Sequence, residues 1–111
     1  MIRLSLIAGV CLTCYPGCLA SAEGAPTYII GIGLKSCSYW QSSPATSGEG
    51  EAWIYGNWTG LNIHNTRNRM VGSRTDGDGI VAEVKKVCEG QPFMSLSEAV
   101  LKVYNAMAEG K

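Results

Sequence analysis

Apolar residues recur at helical spacing along residues 51–65, EAWIYGNWTGLNIHN. Trp53, Gly56, Gly60 and Ile63 share one face, and Ile54, Trp58 and Leu61 form a second strip beside it. With both strips seeking burial, this stretch is expected to be the central helix of a small domain. It should start near Gly50 and end by about Asn65, where Asn62, Asn65 and Asn68 lower helix propensity. Gly56 and Gly60 each cost about 1 kcal/mol relative to alanine inside a helix. That cost predicts a packing groove, where another backbone or ring comes close.

Two further periodic stretches follow. Residues 79–89 place Val81, Val84 and Cys88 on one face with Ile80 and Val87 adjoining, while Glu83, Lys85 and Lys86 point outward. Gly90 and Pro92 stop this helix. Ser95 and Glu98 have capping-box spacing and open a last helix from Leu96 to about Glu109. Its buried face is Leu96, Val100, Val103 and Met107, with Ala99, Tyr104 and Ala106 beside it.

The segments between these helices are read from their turn chemistry. Residues 27–35, TYIIGIGLK, alternate glycine with β-branched and apolar residues, which predicts an extended arm, at most a short strand, leading into Cys37. Ser36 can cap a short helix through Gln41, ended by Ser42, Ser43 and Pro44. Residues 42–50, SSPATSGEG, read as a linker. Residues 66–79 form a polar, Gly-rich connection in which Thr75 or Asp76 caps the next helix. The fold class expected is all-α: a bundle of three to four helices with an extended N-terminal arm and one disulfide.

Composition then sets the compartment. Residues 1–22 have a basic residue, Arg3, an apolar run over residues 4–12, a break at Pro16 and Gly17, and the cleavage pattern Ala20-Ser21-Ala22. They are expected to be a signal peptide, followed by an arm over residues 23–36 and a helical domain over 37–111. The apolar run is shorter than the ~20 residues a membrane span needs. Lipidation at Cys18 is the alternative, although Tyr15 and Pro16 fit a bacterial lipobox poorly. The protein is expected to be periplasmic or secreted, with no stable membrane insertion.

Five cysteines divide cleanly on this reading, because Cys11, Cys14 and Cys18 fall in the leader and leave Cys37 and Cys88 as a pair. Their disulfide would close a loop of about 50 residues around the central helix and supply roughly 4 kcal/mol in the chain-entropy model. The remaining 89 residues hold eight basic and nine acidic side chains, a balance that gives nucleic-acid binding no compositional support.

Candidate chemistry is sparse. His64 is the only histidine, and nothing in the spacing joins it to a serine and to Asp76 or Asp78 as a triad. Asp76-Gly77-Asp78-Gly79 resembles the start of a calcium loop, but Ile80 and Val87 stand at its fifth and twelfth positions, where oxygen ligands belong. Glu49, Glu51, Asp76 and Asp78 supply carboxylates without a spacing that pairs them. The Asn57-Trp58-Thr59 sequon lies within the central helix and makes a poor acceptor. The G-x-x-x-G pair is flanked by asparagines too polar for a membrane dimer. No catalytic residue, metal ligand or cofactor is assigned, and the protein is expected not to be an enzyme.

The order of these features resembles the HdeA family of small exported helical proteins. The resemblance rests on Cys37-Ser38-Tyr39-Trp40, the aromatic, Gly and Asn run of residues 53–62, the helix ending in Val87-Cys88, and Gln91-Pro92-Phe93 before the final helix. It covers roughly residues 35–107, and only the cysteines and the helix order are specific. A Gly31-x-Gly33-x-x-x-Cys37 lead-in is similar to that of uncharacterised relatives. The resemblance implies an all-helical fold with one disulfide and, from its characterised members, acid-stress chaperone activity on unfolded client proteins, with a homodimer as its neutral form. The other expectation is an inhibitor or immunity protein that binds a secreted or cell-envelope enzyme through Trp40, Tyr55 and residues 62–74.

Overall fold

The computed structural model describes residues 26–110. The expected signal peptide, its three cysteines and the first residues of the arm lie outside the described residues. Four α-helices follow one 3-10 turn, and no strand occurs among the described residues. The fold is all-α with one disulfide, Cys37–Cys88.

Residues 26–30 have no regular structure, and the chain then makes a 3-10 turn at Gly31–Leu34, where an extended arm was expected throughout. Gly31 enters the turn at φ 86°, a conformation open to glycine. Helix α1, Cys37–Trp40, is capped by Ser36, whose hydroxyl accepts from Tyr39 N–H at 3.1 Å.

Helix α2, Pro44–His64, runs through the segment expected to be a linker. Ser43 and Thr46 form a reciprocal capping box, and Pro44 occupies the first turn, where its missing N–H costs nothing. Helix α3 spans Gly77–Gly90, with Asp76 as its cap at 2.8 Å from Gly79 N–H. Helix α4 spans Leu96–Ala108, and Ser95 accepts from Glu98 N–H at 3.2 Å. Glu98 makes no return bond among the described residues, so this cap is half of the box expected.

Helices α3 and α4 pack against each other, α2 packs on both, and α1 and the 3-10 turn each pack on α2 and α4. The disulfide ties α1 to α3 with both cysteines buried. A single antiparallel bridge, Ser36 to Ser95, aligns the two strands of chain that lead into α1 and α4. Cys37 N–H donates to Met94 O at 2.8 Å and Leu96 N–H to Lys35 O at 2.8 Å, so the backbone beside the cysteine is held from both sides.

Three tryptophans set the packing, each by the same device. The indole of Trp40, fully buried, lies over Gly50 and donates to Ser47 O at 3.1 Å. Trp53 lies over Gly33 and donates to Ile30 O at 2.8 Å. Trp58 lies against Gly72 and donates to Val71 O at 2.9 Å. A ring replaces a side chain in each case, and its polar edge satisfies a carbonyl outside the ring's own helix turn.

Burial corrects the central-helix reading. Ile54 and Trp58 are buried and Leu61 half-buried, as the second strip predicted, whereas Ile63 is 56% exposed. A Cβ built on Gly56 or Gly60 meets nothing within 4 Å. Neither glycine receives a ring within this chain, although Trp53 on the same face is half-buried; the glycines against which tryptophan rings pack are Gly33, Gly50 and Gly72.

Candidate interaction surface

The polar residues that end α2 do more than stop it. Asn62 Nδ2 donates to Val71 O at 3.2 Å, the same carbonyl that Trp58 engages, and Asn62 Oδ1 accepts from Tyr104 OH at 2.8 Å. Asn65 Nδ2 donates to Tyr104 OH at 3.1 Å, while its Oδ1 accepts from Arg67 N–H and Asn68 N–H, both at 2.9 Å. Asn68 Oδ1 then accepts from Met70 N–H at 2.8 Å. Asparagine competes well for nearby backbone amides, which is why it stops the helix and why it can shape the loop after it.

These bonds fasten residues 65–71 to α2 and α4, and turn bonds from Ser73 N–H to Met70 O and from Thr75 N–H to Gly72 O continue the loop to residue 75. Val71 is buried at the centre, Gly72 turns the chain at φ 91°, and Trp58 meets Tyr104 edge-on at 5.0 Å. The loop therefore carries its outward side chains on a fixed backbone. Arg67, Arg69, Met70, Ser73 and Arg74 are all exposed, Met70 to 66%.

A cavity of about 510 Å³ opens beside the loop, lined by Asn68, Met70, Gly72 and Arg74 on one side and by Met107 and Ala108 of α4 on the other. A groove of about 630 Å³ between α3 and α4 continues from it, sharing Thr75 and Met107 and adding Ala82, Val87 and Ala106. Residues 65–75 contain three arginines and no acidic side chain. None of the three has a carboxylate partner among the described residues. Such a surface can bind anionic and apolar groups together; Ser73 and Thr75 also line the cavity, and Glu83 and Lys102 line the groove.

The residues singled out from sequence fall at separate places. Trp40, expected on an exposed rim, is 0% exposed because Gly50 leaves room for its ring. Tyr55 remains 39% exposed and stands against Gly77. Desolvation, with Asp78, Glu51 and Asp76 adding their charge, raises its pKa above the ordinary 10.0. His64 is exposed at the last position of α2 and makes no side-chain hydrogen bond among the described residues. Asp76 serves as a helix cap.

Residues 62–74 of the proposed rim form one surface. The sequence reading missed Met107 and Ala108, which close the cavity from α4; no local signal marks them, since Met107 reads as one more residue on an apolar face. No group of three or more His, Cys, Asp or Glu side chains lies close enough to hold a metal among the described residues. No helix there is long and apolar enough to cross a membrane. No protein-family model matches the chain, and no curated protein or solved structure is significantly similar to it.

Proposed function

We propose that this protein is a small exported binding protein that acts without catalysis, engaging a protein partner in the periplasm or outside the cell through residues 65–75 and the adjoining cavity. The observation that carries the reading is the asparagine-fastened loop. Holding a loop rigid through three asparagine side chains removes most of the ordering cost that binding would otherwise incur. The loop presents arginines and a methionine, residue types enriched at interfaces. This favours a specific folded partner, as for an inhibitor or immunity protein.

Acid-stress chaperone activity is the second reading, supported by the HdeA resemblance and by large apolar side chains already in solvent, Phe93 at 90% and Leu34 at 61%. The core holds no buried polar or charged residue among the described ones. Acid would therefore act through net charge, which approaches about +9 in the exported chain once its carboxylates are protonated.

Capture from a cell-envelope extract separates these readings, with the protein expressed with its own leader and recovered from the periplasm as bait. One stoichiometric partner at neutral pH, lost when Arg69 and Arg74 are both changed to Gln, supports specific binding at the loop. Many clients retained only near pH 2 to 3, irrespective of those changes, would establish the chaperone reading instead.

A further inference from the structure

Resting on the binding role proposed above, the chemistry of the loop narrows what it recognises. Three of the chain's four arginines fall within residues 65–75, and all five lysines lie elsewhere. Arginine rather than lysine is the side chain that grips a carboxylate through two parallel hydrogen bonds, and it is the more weakly hydrated cation, so it loses less on entering an interface. Arg74 lines the cavity, and Arg67 and Arg69 flank Asn68, which lines it too.

The cavity's far wall is apolar. Met70 and Met107 stand on its two sides, and methionine adapts its shape to an inserted side chain. The last carbonyls of α4 end at that wall, where their partial negative charge disfavours an anion. An apolar group therefore belongs on the α4 side and carboxylates on the loop side.

We propose that this surface recognises an acidic segment of a partner protein carrying one apolar anchor. The anchor enters between Met70 and Met107, and flanking carboxylates meet Arg74 and Arg69. Phosphate ligands fit less well. The loop has no aromatic side chain on which a base could stack, and the chain as a whole is uncharged, so it lacks the field that draws nucleic acid. A single exposed methionine is also unlike the long apolar face that lies in a lipid surface.

The test uses a fluorescein-labelled peptide, Asp-Glu-Leu-Glu-Asp, titrated with the protein recovered from the periplasm and followed by anisotropy. Saturable binding is expected, weakened at least tenfold when Leu is replaced by Ser, when the acidic residues are replaced by Lys, or when Arg69→Gln and Arg74→Gln are combined. Both arginines are exposed, and circular dichroism verifies that the double variant remains folded. Indifference to the arginine changes, or no saturation up to about 1 mM, overturns the proposal. Tighter binding of a single-stranded DNA oligomer or of phosphatidylglycerol vesicles overturns it in favour of phosphate. If the peptide fails while the arginine variant still loses a captured partner, the segment's chemistry is wrong and the binding role stands. A captured partner unaffected by the arginine changes removes both.

Discussion

Trp40 occupies the space into which any side chain at Gly50 would grow, and its indole N–H closes on Ser47 O one turn earlier in the same helix. A Cβ at Gly50 would collide with the ring, which is fully buried and has no room to retreat. Gly50→Ala is expected to destabilise the fold by about 2 kcal/mol, within the usual range for overpacking. Gly33→Ala should act in the same direction through Trp53, by less, because that ring is half-buried and can shift toward solvent. Urea unfolding followed by circular dichroism measures both.

The opposite sign is expected at Gly56 and Gly60. A Cβ there meets nothing, and both lie inside a 21-residue helix. Replacement of either by alanine should raise stability by about 1 kcal/mol through helix propensity. A higher urea midpoint with an unchanged slope is the result to look for; a loss of stability would mean that this face is covered in solution.

Tyr104 holds two asparagines at once, accepting from Asn65 and donating to Asn62. Tyr104→Phe removes both bonds and should cost about 1 to 2 kcal/mol. Its more telling effect is local: amide exchange should quicken in residues 65–73 while α3 retains its protection. Uniform acceleration along the chain would show that the network supports the whole fold rather than the loop.

The Cys37–Cys88 bond spans 51 residues. Paired Cys37→Ala and Cys88→Ala changes should lower stability by roughly 4 kcal/mol, a large share of what a domain of this size has. An unfolding midpoint displaced by far less would mean that the unbridged chain is already compact when unfolded.

Tyr55 carries a pH signature. Its pKa is raised in the folded protein, chiefly by desolvation and then by Asp78, Glu51 and Asp76, so folding disfavours the phenolate. The stability it contributes is complete below the unfolded value of 10.0 and is lost as pH rises through the raised folded one. Asp78→Asn should bring the Tyr55 phenolate titration downward, read as the absorbance difference from the Tyr55→Phe variant. An unmoved midpoint would exclude Asp78 as a cause.

The helix order could be read from caps and periodicity because these signals are local. Ser36, Asp76 and Ser95 mark three helix starts by chemistry each carries alone, and the face of Val81, Val84 and Cys88 follows from spacing. Residues 44–50 escaped because their glycines and serines look like a linker. The overlooked signal was Ser43-Pro44 with Thr46, a cap followed by proline in the first turn. The need for Gly50 comes from Trp40, and propensity cannot express a requirement imposed by a ring from another helix. The same limit applies to the candidate surface. Its arginines and asparagines stand together in sequence, whereas Met107 joins them only when α4 packs beside the loop.

The three indoles have a spectroscopic consequence. Each is tethered to a different piece of irregular or capping chain: Trp53 to Ile30, Trp40 to Ser47 and Trp58 to Val71. Single-tryptophan variants would thus turn one small protein into three separate fluorescent gauges, of the N-terminal segment, the start of α2 and the arginine loop. Emission from Trp58 alone would then follow a ligand arriving at the loop, while Trp40 and Trp53 serve as internal blanks in the same fold.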